Sequence, residues 1–403
     1  MSKVIIIGCG IAGPVLGMLL KHKGFDPIIY ERQPEIQQAG LSLGVSPQTF
    51  KVLNILGLAK ELISLGQPLE ELSTYSQLRH EPLGTMDGPA QIHSRTGWPM
   101  LQVSRARYCQ FLYDSARERG VEMHFNKRCV DVRQEGERVT AVFEDGTQAE
   151  GDLLVGCDGL RSSVRNVLFG KEEATYMGLV QIGGFSPTPD FFKSWKPTLY
   201  QAFGDGAHFM CVPFNSSQMV WTTTLPQPTE AREDWRRLSI DEAHEMIKGL
   251  QVAEWEHGPK ELVQGATFVT KYGLYDRPIL DVWHKGRVVL VGDAAHPTSP
   301  HIGQGANQAM EDCYHLVRLL CKASSFATDS LEAAFTEYER IRHPIVVKSV
   351  SHAKMEGEKR VMVGREACEQ RDEAMLRGRG YDPERARLQM ELMQGPFVGE
   401  SEI

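Results

Sequence analysis

The sequence has no cysteines in C-x-x-C spacing, no long apolar run and no excess of basic charge. Its eight cysteines therefore predict neither a disulfide framework nor a zinc site, and they favour a reducing compartment such as the cytoplasm. No apolar stretch approaches the roughly 20 residues that cross a bilayer. We expect no signal peptide, because the first apolar run leads directly into the glycine-rich turn. A formal net charge of −8 argues against nucleic-acid binding. We expect a cytoplasmic protein with no membrane or nucleic-acid partner.

A glycine-rich motif lies close to the start of the chain, in the stretch "VIIIGCGIAGPVLGMLLKHKGFDPIIYERQ". The β-branched run Val4–Ile7 predicts a strand, and residues 11–23 predict a helix directly after the glycines. A second apolar run then ends at Glu31. Between strand and helix stands G-x-G-x-x-G, with its glycines at Gly8, Gly10 and Gly13.

This order of elements is typical of a dinucleotide site. Gly8 permits a tight turn, Gly10 lets the backbone approach a pyrophosphate, and Gly13 lets the helix touch the strand. The start of the helix offers free N–H groups and a positive dipole end to that pyrophosphate. The Glu31 carboxylate would accept hydrogen bonds from an adenosine ribose. The motif does not identify which dinucleotide is bound.

Two further motifs place acidic residues at the ends of apolar strands. In "GDLLVGCDGLRSSVR", Asp158 follows the strand predicted at 153–156, and in "GRVVLVGDAAHP", Asp293 ends the strand predicted at 288–291. Because ligands of open α/β sheets bind at the carboxyl ends of the strands, both carboxylates should face one cleft. Gly303-Gln304-Gly305 then opens a long helix, whose start favours a negative charge in front of it.

In this order the three motifs resemble the FAD-dependent aromatic monooxygenases of the p-hydroxybenzoate hydroxylase and salicylate hydroxylase type, the group A flavoprotein monooxygenases. The resemblance covers residues 3–60, 100–170 and 280–345, and the middle region only in its general character. It implies bound FAD and transient docking of NAD(P)H, because no second G-x-G-x-x-G is present. It also implies hydroxylation of an aromatic or similarly electron-rich small molecule with O2, through a flavin C4a-hydroperoxide.

The fold class that follows is α/β, with a Rossmann-like FAD-binding domain, an inserted, mostly antiparallel β-sheet domain for the substrate, and a helical C-terminal region. A chain of 403 residues is long enough for two such interlocked domains. The stretch "YDPERARLQMEL" predicts a helix in the tail, because an acidic cap precedes a proline. The expected ranges are 1–72, 100–170 and 279–345 for the FAD domain, 73–99 and 171–278 for the substrate domain, and 346–403 for the tail.

The resemblance also assigns expected roles around the flavin. Arg105 would contact the FAD phosphate region, Asp158 both FAD and the nicotinamide cofactor, Asp293 the ribityl chain, and residues 303–307 the edge of the flavin ring. The full set of expected FAD contacts is Gly8, Gly10, Ile11, Ala12, Gly13, Glu31, Arg32, Gly44, Arg105, Val130, Asp158, Asp293, Pro300, Gly303, Gly305, Ala306 and Asn307.

No catalytic side chain is assigned from the sequence. The candidates for lining a substrate pocket are Tyr200, His208, Phe209, Met210, Trp221, Pro300 and His301, with His208 the candidate base. Where many salicylate-hydroxylase-like proteins carry an arginine in the strand after Tyr176, this chain has Gly183-Gly184. Without that anchor, a larger or neutral aromatic of polyketide or alkaloid type is as plausible a substrate as a benzoate.

Two other functions remain open at this point. One is a flavin-dependent reductase, dehydrogenase or epoxidase of the same fold, and the other is a partner-binding protein that has lost the flavin, as in Rab-escort-type proteins. The presence of Asp293 and of the glycines that follow it argues against the second. We expect a monomer or a homodimer.

Overall fold

The computed structural model describes residues 1–36, 40–231, 238–378, 390 and 392–403. The strands are β1 (Lys3–Ile7), β2 (Asp26–Tyr30), β3 (Ser42–Val45), β4 (Gly66–Pro68), β5 (Glu71–Ser76), β6 (Glu81–Met86), β7 (Leu101–Ser104), β8 (Glu122–His124), β9 (Cys129–Glu135), β10 (Arg138–Phe143), β11 (Gln148–Gly151), β12 (Leu153–Gly156), β13 (Thr175–Pro187), β14 (Thr198–Phe203), β15 (His208–Pro213), β16 (Gln218–Pro226), β17 (Phe268–Asp276), β18 (His284–Lys285) and β19 (Val288–Leu290). The helices are α1 (Ala12–His22), α2 (Pro47–Ile55), α3 (Ala59–Ser64), α4 (Gly88–Thr96), α5 (Arg105–Glu118), α6 (Ser163–Phe169), α7 (Ile240–Lys248), α8 (Pro259–Gln264), α9 (Gly305–Lys322), α10 (Thr328–Arg360) and α11 (Arg365–Arg377).

One sheet joins strands from distant parts of the chain, in the order β18-β19-β12-β1-β2-β8. Its pairs are parallel except for β18 with β19, and Ile5 of β1 lies opposite Leu154 of β12 and Ile28 of β2. Helices α1, α5 and α9 pack together at this sheet. Because both faces are covered, the strands are almost continuously apolar. The strands predicted at residues 4–7 and 153–156 are both present and pair with each other.

A second sheet has the order β17-β13-β16-β15-β14-β5-β6 and is antiparallel apart from the pair β14–β5. Helices α7 and α8 lie against one face, over a cluster that includes Tyr200, Phe209, Trp221 and Trp255. The opposite face borders the cleft described below. The mostly antiparallel inserted sheet is therefore present.

Two of the expected domain boundaries cut through single elements and are corrected here. The boundary at 72/73 falls inside β5, and the boundary at 345/346 falls inside α10, which runs unbroken to Arg360 even though it contains Pro344. The helix predicted for "YDPERARLQMEL" lies outside the described residues except for 390 and 392, which are helical. Among the helices that the structure describes, none has the length and hydrophobicity to cross a bilayer.

Candidate active site

A cleft of about 1130 Å³ lies between the two sheets. One half is lined by the loops that follow β1, β2, β12 and β19, at the carboxyl ends of the parallel strands, where open α/β sheets bind ligands. The other half is lined by the free face of the antiparallel sheet and by the end of α10. The volume exceeds that of a usual small-molecule pocket and suits a dinucleotide together with a small ligand.

In the glycine turn, backbone atoms pack closely against Gly8 and Gly13, whereas the space beside Gly10 is open. Gly8 has a φ of +110°, and a Cβ there would stand 2.4 Å from the carbonyl oxygen of Cys157. A Cβ on Gly13 would stand 2.0 Å from the carbonyl oxygen of Gly8, so the helix can meet the strand only with glycine at this position. A Cβ on Gly10 would meet no protein atom within 4 Å. Helix α1 starts here without a side-chain cap, so its first N–H groups suit an anion.

Glu31 is held at the edge of this turn by backbone donors. Its Oε2 accepts the N–H of Cys9 at 2.7 Å, and its Oε1 accepts the N–H of Gln33 at 2.9 Å. Because each carboxylate oxygen has two lone pairs, one on each stays available for a ribose diol. These hydrogen bonds hold Glu31, the residue expected to bind the ribose, in a fixed position relative to the glycine turn.

Asp158 lines the cleft and also caps α6. Its carboxylate accepts hydrogen bonds from both Oγ and N–H of Ser163, from Oγ of Ser162 and from the N–H of Val164, over 2.5–3.2 Å. Burial raises the pKa of Asp158, and these hydrogen bonds partly offset that rise. The carboxylate is therefore engaged in fixing the start of α6, and its contact with either cofactor stays a prediction.

Asp293 lies exposed to the cleft in a short 3-10 turn, Gly292–Ala294, that follows β19. A second 3-10 turn ends at Gly303, whose φ of +62° is left-handed, and α9 begins at Gly305. Helix α9 has no side-chain cap and no acidic residue in its first turn. Its start therefore presents N–H groups and a positive dipole end beside Asp293, as a negative flavin edge would require.

The turn that carries Asp293 is supported by a buried ionic network. Asp312 of α9 accepts the N–H of Gly292 at 2.9 Å, His296 Nε2 at 2.6 Å and Arg342 Nε at 2.7 Å. Arg342 also donates to Glu311. Burial would raise the pKa of Asp312, but the His296 and Arg342 charges and hydrogen bonds bring it below its ordinary range. Burial raises the pKa of Glu311, which Arg342 partly offsets.

Because of this network, we expect Asp312 to contribute to the free energy of unfolding at neutral pH and to lose this contribution in acid. A carboxyl group whose pKa is depressed by folding stabilises the fold fully above its unfolded pKa of about 3.9, and this contribution is lost as the pH falls through the folded pKa. Asp312→Asn should therefore lower the free energy of unfolding at neutral pH, and its difference from the unmodified protein should shrink below about pH 4. Urea unfolding at several pH values measures this difference. A difference that stays constant in acid would contradict the assignment.

The substrate half of the cleft combines apolar and polar side chains. The apolar members include Leu41, Leu69, Leu72, Leu199 and Met210, and the polar members from the sheet are Gln181, Gln201, Thr222 and Tyr272. Tyr272 donates a hydrogen bond to the side-chain oxygen of Gln181. Sequence reasoning missed these polar residues, although polar side chains that alternate with apolar ones along predicted strands indicate a face turned to a ligand.

Three candidates for the substrate pocket lie on the wrong face of the sheet. Tyr200, Phe209 and Trp221 belong to the core under α7 and α8, and they are at most 1% exposed. Side chains alternate between the faces of a strand, so their neighbours Gln201, Met210 and Thr222 face the cleft instead. Met210 lines the cleft as expected, as do Pro300 and His301.

His208 shares the face of Met210, but it is buried behind the cleft lining. Its Nε2 lies 3.0 Å from Oε1 of Gln201, and because an amide oxygen only accepts, the imidazole is the donor. Burial, followed by the nearby Arg360 charge, lowers the pKa of His208 well below its usual value. The residue is a neutral support for Gln201, and the idea that it is the base is not favoured.

Asn307 is likewise a structural residue rather than part of the cleft wall. Its Oδ1 accepts the N–H of Ser46 and Oγ1 of Thr49, and its Nδ2 donates to the carbonyls of Gly44 and Gly303, over 2.8–3.0 Å. All its hydrogen-bonding capacity is used, and it is 1% exposed. It ties the loop after β3 to the start of α9.

The other expected FAD contacts are brought together, apart from Gly13, which lies behind the glycine turn. Lining the cleft are Gly8, Gly10, Ile11, Ala12, Glu31, Arg32, Gly44, Arg105, Val130, Asp158, Asp293, Pro300, Gly303, Gly305 and Ala306. These features fit FAD: the starts of α1 and α9 have no side-chain cap, the space beside Gly10 is open, and the carboxylates of Glu31 and Asp293 lie at the two ends of the site. No cluster of three potential metal ligands occurs among the described residues.

This combination of parallel sheet, glycine turn and second sheet defines a dinucleotide-binding flavoprotein. The chain belongs to the FAD binding domain family, whose sequence model matches residues 1–353. A 3-amino-4-hydroxybenzoate 2-monooxygenase of Streptomyces cremeus is 29% identical over 376 residues, which cover 93% of this chain and 91% of that protein. A 6-hydroxynicotinate 3-monooxygenase of Pseudomonas fluorescens is 29% identical over 363 residues, which cover 87% and 90%.

Among solved structures, Klebsiella pneumoniae HpxO complexed with FAD and uric acid is similar in fold. Its TM-score is 0.83 at 24% identity, with 97% of this chain and 96% of that chain covered. The predicted fold class, FAD as the cofactor, and a flavoprotein monooxygenase as the class of enzyme are thereby confirmed. The flavin-less alternative is set aside.

Proposed function

We propose that this monooxygenase hydroxylates an aromatic ring that already carries a hydroxyl group, using O2 and electrons from NAD(P)H. The observation that carries the proposal is the continuity of the cleft from Gly10 and Glu31 to the lining of the antiparallel sheet. The two relatives described above are named for hydroxylated aromatic acids, and this supports the substrate class.

When bound, FAD supplies the electron transfer and oxygen activation. The chain's own residues bind and orient the substrate and keep water away from it. Leucines and Met210 make an apolar wall that excludes water from the reacting ring. Because Oε1 of Gln201 accepts from His208, its amide N–H2 group stays available as a donor to a ring substituent. Gln181 and Tyr272 are fixed by their mutual hydrogen bond.

The test is oxygen uptake coupled to NAD(P)H oxidation by the FAD-loaded protein, with hydroxybenzoates, hydroxypyridine carboxylates and neutral phenols as candidate substrates. We expect at least one compound to stimulate uptake and to yield a product that carries one ¹⁸O atom from ¹⁸O2. A compound reduced without oxygen would instead identify a reductase of the same fold. A product whose new oxygen comes from water would contradict hydroxylation by O2.

We also propose a cytoplasmic location, as expected from the sequence. In support, each of the eight cysteines is a free thiol, and most are buried. Burial raises the pKa of Cys9 to about 12, so this thiol beside the glycine turn stays protonated and unreactive. The oligomeric state, monomer or homodimer, stays a prediction that sedimentation of the FAD-loaded protein would decide.

A further inference from the structure

The end of α10 brings a buried arginine into the substrate half of the cleft. Arg360 lines the cleft and is 7% exposed. Within the described part of the chain, its one hydrogen-bonding partner is Nδ1 of His301, at 3.4 Å, and no carboxylate oxygen lies within 4.0 Å of its guanidinium. A buried cation without a counter-charge is costly, so such groups are normally paired.

The carboxylate one turn earlier on the same helix is committed elsewhere. Glu356 pairs with Lys359 at 2.6 Å and with His352 at 3.5 Å. Burial would raise the pKa of Glu356, but hydrogen bonds from His352 and Lys359 and their charges lower it to about 2. Glu356 is thus ionised and in contact with His352 and Lys359. Its charge acts on Arg360 only from beyond 4.0 Å, where it partly offsets the effect of burial on the pKa of Arg360.

His301 contributes no negative charge either. Its ring packs directly on α10, because a Cβ on Gly357 would stand 2.5 Å from it. Burial, followed by the charge of Arg360, lowers the pKa of His301 to about 3, so the ring is neutral. Burial lowers the pKa of Arg360 to about 10, which leaves the guanidinium charged at neutral pH. A full positive charge therefore faces the cleft beside a neutral imidazole.

Strand β13, which contributes Gln181 to the cleft lining, has no room for a cationic side chain at Gly183. A Cβ on Gly183 would stand 2.4 Å from Cδ1 of Leu41 and 2.6 Å from the carbonyl oxygen of Trp221. Leu41 thus covers that part of β13 with apolar surface. Arg360 brings a positive charge to this end of the cleft from α10, in addition to the charge of Arg105, which also lines the cleft.

We propose that Arg360 binds a negatively charged group of the substrate, either a carboxylate or an ionised ring hydroxyl, and so selects anionic aromatic compounds. This proposal rests on the proposed function, whose substrate class it narrows. It makes Arg360 a specificity-determining residue delivered by α10. The competing explanation is structural, because a cation in the last turn of a helix is stabilised by the helix dipole.

The experiment measures binding to the FAD-loaded protein by calorimetry with two matched pairs of probes. The first pair tests for carboxylate binding and compares 4-hydroxybenzoate with its neutral amide, 4-hydroxybenzamide. The ionised hydroxyl is represented by 4-nitrophenol, at alkaline pH, against 4-nitroaniline. The variants are Arg360→Gln and Arg360→Lys, with Arg340→Gln as the control, since Arg340 lies exposed on the same helix and pairs with Glu337.

We expect the unmodified protein to prefer the anion of at least one pair. Arg360→Gln should weaken binding of that anion about 30-fold or more and leave its neutral partner within about twofold, because one partner of a desolvated charge pair is lost. Arg360→Lys should restore part of the preference, and Arg340→Gln should change nothing. The probe pair whose anion loses affinity in Arg360→Gln shows whether Arg360 binds a carboxylate or an ionised ring hydroxyl.

Thermal unfolding separates binding from support of the fold. Removing a buried charge that has no ion-pair partner within 4.0 Å should leave the midpoint of Arg360→Gln no lower than that of the unmodified protein. Three results would overturn the proposal. One is a large fall in the midpoint of Arg360→Gln with an unchanged preference for the anion. The others are equal binding of anions and neutral probes by the unmodified protein, and no binding of either anion to it at millimolar concentration. Anion selectivity without oxygen uptake would overturn the proposed function alone, and uptake with neutral phenols alone would overturn only this inference.

Discussion

Replacing Gly10 by glutamate should weaken FAD binding about 100-fold, or ~2.7 kcal/mol, while leaving the fold intact. The new side chain would enter the open space in front of α1, where no protein atom lies within 4 Å of a Cβ. It would place a carboxylate where the pyrophosphate is expected and compete for the uncapped N–H groups of the helix. Equilibrium dialysis with FAD, alongside thermal unfolding of the apoprotein, measures both quantities.

Gly88→Glu is the matched control for this change. Gly88 also stands at the start of a helix, α4, and a Cβ there would again meet nothing within 4 Å, but it lies outside the cleft lining. FAD binding should be unchanged in this variant. Gly13→Ala provides the opposite case, because its Cβ would overlap the carbonyl of Gly8 and should destabilise the apoprotein. A Gly10→Glu protein that purifies fully yellow would show that the dinucleotide lies elsewhere.

The largest loss of stability is expected from Arg342→Met. Arg342 is fully buried and bonded to Asp312, Glu311 and the side chain of Gln308. Its removal leaves buried Glu311 without its paired cation and Asp312 with His296 alone. Breaking a buried ion pair in this way costs about 3–5 kcal/mol. FAD binding should weaken as well, because Asp312 also holds the N–H of Gly292 next to Asp293. Urea unfolding and FAD titration measure the two effects.

Arg340→Met, two residues away on the same helix, separates charge loss from burial. Its side chain is exposed and pairs only with Glu337 among the described residues, so the change should cost less than about 1 kcal/mol. Neutralising both carboxylates as well, by adding Glu311→Gln and Asp312→Asn to Arg342→Met, should recover part of the lost stability. Equal destabilisation by both single arginine changes would contradict the role assigned to Arg342.

The sequence allowed the dinucleotide half of the cleft to be predicted because its signals are local. A β-branched run, three glycines at fixed spacing and an acidic residue at the next strand end specify β1, α1 and Glu31 without knowledge of the rest of the chain. Asp293 and the start of α9 were equally recognisable, since a buried strand, a turn and a helix follow one another directly. The structure brings these segments to one edge of the parallel sheet.

The substrate half could not be predicted to the same depth, because it depends on which face of each strand is covered. Large aromatic residues such as Trp221 were chosen as pocket candidates. In the structure, α7 and α8 bury the face of the sheet that carries them, and the smaller polar residues beside them line the cleft. Arg360 had no local signal at all, since only the length and direction of α10 carry it back to the cleft. The network of Arg342 and Asp312 is hidden for the same reason, because its partners are 30 positions apart in the sequence.

The walls of the cofactor cleft come from segments far apart in the sequence, since Asn307 fastens β3 and the residue after it to a helix more than 260 residues later. During synthesis on the ribosome, the glycine turn therefore emerges long before Asp293 and α9 can close the other side. A cleft with both walls can therefore form only after the ribosome has added Asp293 and the residues of α9.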